Sequence, residues 1–230
     1  MKAMILAAGL GTRMRPLTDT LPKPLLKVGG TALIEYHIVN LAAAGISDIV
    51  INHYHLGEML EATLGDGSNY GVNIAYSREE VRLETAGGIV KALPLLGPEP
   101  FAVISADIWT DYNYANLETV DGENTLARLV MVKNPEHHQS GDFALTDDGR
   151  LALALAPEAS ETGLTYSGIS VMHPNLFADL PEEPLALRPV LNEAIAKNLV
   201  AASMHEGLWF DIGTPERLQE LDTYLKEILS

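Results

Sequence analysis

Short, wholly apolar runs alternate along the chain with stretches in which apolar residues recur every three or four positions. Residues 3–7 (AMILA) are apolar throughout and stop at glycines, the pattern of a buried strand. Residues 33–44 carry apolar side chains at helical spacing and stop at Gly45, a natural helix end. Residues 48–52 (DIVIN) read as the next strand, 56–64 as a helix, 72–76 as a strand and 89–95 as a helix. Residues 101–105 (FAVIS) form a further strand, closed by Ala106-Asp107. This order predicts parallel strands joined by crossover helices, a three-layer α/β/α domain.

The second half is more mixed. Residues 126–132 and 165–172 read as strands, and 140–153 as a hairpin around Asp148-Gly149. Residues 187–197 and 215–229 read as helices; Thr214 is placed to cap the second and Pro215 to occupy its first position. No repeat, low-complexity segment or long linker divides the chain. Its 230 residues are therefore read as one large domain.

Charge and composition narrow the chemistry. A formal net charge of −16 argues against a general basic surface for nucleic acid or anionic membrane. It leaves room for anionic small molecules, which a few local cations and backbone N–H groups can hold. The cysteine count is 0, which excludes disulfides, thiolate nucleophiles and Cys-ligated metals. No run approaches the roughly eighteen apolar residues of a spanning helix, and the first apolar run is broken by glycines and arginines. A soluble cytoplasmic protein is expected.

The loop after the first strand, AAGLGTRMRPLTDTLPKPL, is the most informative stretch. Ala8, Gly9 and Gly11 have little or no side chain, so a base or phosphate can approach the backbone. The third glycine of a dinucleotide fingerprint is missing, and no GxxxxGK[ST] phosphate loop exists. Pro16, Pro22 and Pro24 forbid a regular helix over 16–24, so Lys23 is expected on a stiff extended loop that returns it to the phosphates Arg15 faces. Fixed cations of this kind supply electrostatic preorganisation.

Residues 6–25, LAAGLGTRMRPLTDTLPKPL, closely resemble the signature of the sugar-1-phosphate nucleotidylyltransferases. The resemblance implies a Rossmann-like nucleotidyltransferase fold with a mostly parallel, mixed central sheet. It also implies coupling of a nucleoside triphosphate to a sugar-1-phosphate with release of pyrophosphate. By the same resemblance Leu6, Ala8, Gly9 and Gly11 lie against the nucleotide, Arg15 steadies the triphosphate, Lys23 neutralises phosphate charge, and Thr12 and Arg13 add contacts. Arg15 and Lys23 are the catalytic candidates.

Further segments extend the match. Residues 84–88 (ETAGG) precede the expected helix and resemble the family's second base-binding segment, with Gly87 offering its backbone to uracil and Glu84 and Thr85 shaping the pocket. Asp107 and Asp211, the latter in WFDIGTPE, match a pair of Mg²⁺ ligands; hard oxygen donors suit that cation. On the sugar side the candidates are Asn113, Gly141, Asp142, Ser167, Gly168 and Arg188. A family Glu-Lys-Pro that grips the sugar phosphate is missing, since the matching residues 153–157 (LALAP) carry no charge, and Arg188 is its candidate replacement. His53 borders the expected pocket, whereas His137 and His138 read as solvated loop residues.

The resemblance thus divides the single domain 1–230 into a nucleotide half (1–115), a sugar half (116–212) and a C-terminal helix (213–230). Chain length, NHYHL, ETAGGI and the missing Glu-Lys-Pro together most resemble one branch of the family, and that resemblance implies action on UTP and N-acetylmuramate-1-phosphate in cell-wall sugar recycling. Mannose-1-phosphate with GTP, and glucose-1-phosphate with a thymidine or uridine triphosphate, stay open. So does a non-catalytic nucleotide-sugar sensor. The expected partners are UTP, a sugar-1-phosphate and Mg²⁺, without nucleic acid or membrane, in a monomer or small homo-oligomer.

Overall fold

Alternate side chains of the first strand enter two different cores: Ala3 and Ile5 one, Met4 the other. The computed structural model describes residues 1–153 and 163–229. Its first half comprises β1 (Lys2–Leu6), β2 (Lys27–Val28), β3 (Thr31–Ala32), α1 (Leu33–Ala43), β4 (Asp48–His53), α2 (Gly57–Leu64), β5 (Asn73–Arg78), α3 (Glu84–Leu96), β6 (Phe101–Ser105) and β7 (Ile108–Thr110). There follow β8 (Ala127–Val132), β9 (Phe143–Leu145), β10 (Leu151–Leu153), β11 (Gly163–Met172), α4 (Leu187–Ala196), β12 (Val200–Met204), β13 (Trp209–Asp211) and α5 (Pro215–Leu229).

The split seen in β1 recurs in β4 and β6. Ile49, Ile51, Ala102 and Ile104 join the first core; Val50, Phe101 and Val103 join the second. A strand with period two buries both faces when helices cover both sides of its sheet. Here α1 and α2 bring Ile34, Ile38, Leu41, Leu60 and Leu64 to the first core, and α3 and α4 bring Ile89, Ala92, Leu191 and Ile195 to the second. The three layers expected from the alternation are thus present.

In the main sheet β6, β1, β4 and β5 run parallel in that spatial order. β11 then pairs antiparallel with β6 and β8, and β12 lies parallel to β8. The β9–β10 hairpin joins the start of β11 at Gly163 and Leu164. A third cluster places α5 residues Leu221 and Leu225 over Met14, Leu26, Val28 and Trp109, so the C-terminal helix packs on the exit of the glycine loop. Arg217 N donates to Thr214 Oγ1 at 3.4 Å, as the expected cap requires.

Two local expectations are corrected. ETAGG does not precede α3 but forms its opening turns, because Leu185 O accepts from Ala86 N at 2.9 Å and Gly87 N at 3.2 Å. A distant carbonyl thereby satisfies helix-start donors that local sequence leaves orphaned. Lys23 lies not on an extended loop but at the start of a 3-10 turn, Lys23–Leu25, closed by Leu25 N to Pro22 O at 2.9 Å. The short strands β2, β3, β7, β12 and β13 add to those read from the sequence. No helix among the described residues is long and apolar enough to cross a membrane.

Candidate active site

β1, β4 and β6 end side by side, and open α/β sheets bind ligands at this edge. A cleft of about 360 Å³ opens there, within the size range of ligand pockets. Leu6, Ala8 and Gly9 form one wall, Ser105 and Asp107 another, and Arg82, Glu84 and Thr85 at the entry to α3 a third. Glu84 holds φ +59°, an uncommon conformation for a residue with a side chain and one that recurs at functional sites.

Two extensions flank Asp107. One follows the glycine loop past Gly11, Thr12 and Arg13 to Gly213, with Lys23 and Arg82 at its side. The other runs toward β11 and β13, lined by Arg13, His137, Ser167, Gly168, Asp211 and Arg217. Gly168 has φ +84°, and a Cβ there would stand 2.8 Å from Ser105 Oγ, so the site requires glycine.

The two aspartates are brought to this common space by β7 and β13. Asp211 is registered against Ile108, and Ile212 N donates to Asp107 O at 2.8 Å. Asp107 Oδ2 accepts from Lys23 Nζ at 2.6 Å, and this lysine is only 8% exposed. Asp211 accepts from Arg217 Nη1 at 2.5 and 2.6 Å through its two oxygens, with His137 Nε2 2.8 Å from Oδ1. Each carboxylate therefore faces a fixed cation. The donor set suits Mg²⁺, which takes one or two carboxylates together with substrate phosphates. No cluster of three acidic or histidine ligands exists among the described residues.

The root of the glycine loop is held by a buried polar chain. Asn52 Oδ1 accepts from Ala7 N at 2.9 Å, and Asn52 Nδ2 donates to Glu79 Oε1 at 2.7 Å. Glu79 Oε2 accepts from Leu83 N at 3.0 Å, so one carboxylate links the glycine loop to the entry of α3. Asn52 and Glu79 were missed from sequence. The available signal was the single uncharged polar residue at the end of DIVIN, before the turn.

Several candidates stand elsewhere. Arg15 is not among the residues lining the cleft or its extensions and pairs with Asp19 at 3.2 Å on the surface; Arg13, two residues earlier, lines both extensions. Gly87 is buried in α3 with its amide given to Leu185, so it does not reach the cleft. Asn113 accepts from Ala115 N at 3.0 Å and borders a separate hollow beside His205. Arg188 is engaged by Asp142, with Nη1 2.9 Å from Oδ1 and Nη2 2.6 Å from its carbonyl, and it lies over the Phe143 ring. Asp142 also accepts from Tyr166 N at 2.9 Å. Gly141 packs against the Gly163–Leu164 backbone. These three thus brace β9, β11 and α4 behind the cleft.

Ser167 lines the cleft, but its hydroxyl is buried and donates to Val130 O at 2.7 Å. His53 is enclosed in β4 with Nε2 2.7 Å from Glu61 Oε1, away from the cleft. His137 is exposed, as expected, and it also reaches the cleft, with Nε2 2.8 Å from Asp211 Oδ1. The uncharged segment invoked for the missing lysine falls, beyond Leu153, outside the described residues.

A strand-edge cleft with a glycine loop, converging cations and two carboxylates defines a phosphate-handling transferase. The chain belongs to the nucleotidyl transferase family, whose model matches residues 2–227. It is 50% identical over 226 residues, 96% of each chain, to N-acetylmuramate alpha-1-phosphate uridylyltransferase of Neisseria meningitidis serogroup B. It is 36% identical to the protein of the same name from Caulobacter vibrioides, covering 98% of this chain and 97% of that one. A mannose-1-phosphate guanyltransferase of Schizosaccharomyces pombe is 31% identical over 94% of this chain and 62% of its own. Among solved structures, a Bacillus anthracis protein assigned as a glucose-1-phosphate thymidylyltransferase, in complex with a sucrose, matches with a TM-score of 0.84. It covers 99% of this chain and 96% of that one at 21% identity, which establishes the shared fold.

Proposed function

We infer that this chain transfers the uridylyl group of UTP to N-acetylmuramate-1-phosphate, forming UDP-N-acetylmuramate and pyrophosphate. The observation that carries the reading is 50% identity across nearly the full length of a protein bearing that activity's name. Uridine triphosphate is a cytoplasmic metabolite, so the reaction belongs in that compartment, as a step in the recycling of cell-wall sugars. The chain is taken to act as a monomer or small homo-oligomer.

In this reading the base occupies the cleft between the glycine loop and the entry of α3, and the triphosphate follows residues 9–13. The sugar-phosphate lies across Asp107, toward β11. An oxygen of the sugar phosphate, already ionised at neutral pH, attacks the α-phosphorus of UTP in line. A new P–O bond forms there as the bond to the bridging α–β oxygen breaks, and its electron pair leaves with pyrophosphate. No protein base is needed, so positioning and charge stabilisation do the work. Lys23 and Arg13, rather than Arg15, are the cations that face the transferring group. Asp107 and Asp211 would hold Mg²⁺, which would supply positive charge to offset that developing on the phosphates.

The test is pyrophosphate release with UTP and Mg²⁺ across a panel of sugar-1-phosphates. Release with N-acetylmuramate-1-phosphate well above the other sugars is expected. Preference for another sugar would reassign the substrate, and release with none would favour a nucleotide-sugar sensor.

A further inference from the structure

Two guanidinium groups converge on one point beside the cleft. A Cβ built on Gly213 would lie 3.3 Å from Arg13 Nη1 and in collision with Arg217 Nη2. The absence of a side chain at Gly213 therefore leaves the space that both arginines enter. Arg13 has no ion-pair partner among the described residues. Arg217 directs Nη1 to both oxygens of Asp211, and its Nη2 faces the Gly213 cradle.

His137 adds to the same cluster. Its Nε2 is 2.8 Å from Asp211 Oδ1 and 2.6 Å from Arg217 Nη1. A single ring nitrogen cannot donate to the carboxylate and accept from the guanidinium together. Asp211 is thus contested by two donors, while Arg13 lies nearby without a carboxylate. A dianionic phosphate entering this extension would supply acceptors for both arginines, and planar guanidinium forks match phosphate oxygens closely.

We propose that Arg217 is a substrate-phosphate-binding residue of this chain, held on Asp211 in the ligand-free state and transferred to the sugar phosphate when substrate enters. Arg217 then does what the uncharged 153–157 segment cannot and what Arg188, engaged by Asp142, does not. The inference rests on the transferase reading above, and it places the phosphate of the sugar substrate in the β11–β13 extension that Arg217 lines with Arg13, beside the Gly213 end of the triphosphate path.

The test compares wild type with Arg217→Gln and Arg217→Lys in steady-state kinetics, varying UTP and N-acetylmuramate-1-phosphate separately. Calorimetric titration with the sugar phosphate in the absence of UTP gives a readout independent of turnover, and circular dichroism confirms folding. Loss of a charged hydrogen-bond partner should raise the sugar-phosphate KM and Kd about tenfold or more in Arg217→Gln, with partial rescue in Arg217→Lys. The UTP KM should stay within about twofold, because uniform binding of the other substrate is untouched. If Arg217→Gln is unstable, Arg217→Lys, which keeps the charge but not the planar fork, should give the same split at smaller magnitude. An active wild type whose Arg217→Gln and Arg217→Lys forms keep the sugar-phosphate Kd would overturn the role of Arg217 alone. A wild type that releases no pyrophosphate with any sugar phosphate would overturn the underlying reading and the proposal with it.

Discussion

Lys23 Nζ meets Asp107 Oδ2 at 2.6 Å, joining the proline-rich loop to the end of β6 across the mouth of the cleft. The lysine is largely buried and the aspartate side chain is 47% exposed, so the pair presents its carboxylate to the ligand side. Lys23 is held by Pro22, Pro24 and the 3-10 turn, which fixes a flexible side chain before any ligand arrives. Lys23→Met should retain the fold and lower kcat about 10²–10³-fold, the scale of losing a preorganised donor to a transition-state anion. Stopped-time pyrophosphate release, with circular dichroism as the folding control, checks this. Turnover within a few-fold of wild type would remove Lys23 from the chemistry.

Arg13 and Arg15 should separate sharply. Arg13 lines both extensions of the cleft, whereas Arg15 forms an exposed pair with Asp19. Exposed pairs contribute about 0–1 kcal/mol, so Arg15→Ala should leave turnover and stability nearly unchanged. Arg13→Ala should lower kcat about 10²-fold or more. Parallel kinetics on the two variants decide the matter, and the reverse order would restore Arg15 as the catalytic arginine.

Asn52→Ala removes the acceptor for Ala7 N and the donor to Glu79 in a buried setting. Leaving those groups unpaired should cost about 1–3 kcal/mol of stability, read from urea unfolding. The same variant should raise the KM for UTP, because Ala7 begins the loop against which the nucleotide is proposed to lie. An unchanged KM with reduced stability would limit the chain to a structural role.

His37 makes stability depend on pH in a defined window. It is buried, with Nδ1 2.7 Å from Tyr114 Oη and Nε2 2.9 Å from Ile108 O, and burial lowers its pKa from 6.5 to about 4. Between those values the unfolded chain binds a proton that the folded chain does not, so stability rises with pH across the window. The contribution is fully present above the unfolded pKa and is lost as pH falls toward the folded one. Glu61, held down to about 2 by Arg78 and His53, has the same sign but begins to matter only below its ordinary value of 4.5. Unfolding between pH 6.5 and 5 therefore separates His37 from Glu61: the His37 contribution lost there should be about 1–2 kcal/mol, and His37→Gln should show a flatter profile than wild type. Equal slopes would mean that His37 titrates normally.

The strands of the first half were legible because each is a short apolar run closed by glycine or a polar turn, and the two cores simply follow its odd and even positions. Ala8, Gly9 and Gly11 were legible as a close approach for ligand because they lack side chains after a strand. The choice between Arg13 and Arg15 was not. It depends on the 3-10 turn Thr12–Met14, which buries Met14 at 1% exposure beneath α5 and releases Arg15 in extended backbone toward solvent. Nothing local records that α5 packs there. The sugar side was less legible for the same reason, since Arg188 finds Asp142 only when β9 and α4 meet, and Arg217 finds Asp211 only when the α5 entry folds back. Asn52 and Glu79 are a pair whose meaning is set by α3 beginning at Glu84, which a carbonyl from residue 185 makes possible.

The most direct measurement mixes UTP, GTP and dTTP at equal concentration with N-acetylmuramate-1-phosphate and Mg²⁺, and identifies the nucleotide-sugar by mass spectrometry alongside pyrophosphate. UDP-N-acetylmuramate as the dominant product, formed in step with pyrophosphate, is the predicted result. A guanosine or thymidine diphosphate sugar, or no coupled product with any triphosphate, would contradict the assignment.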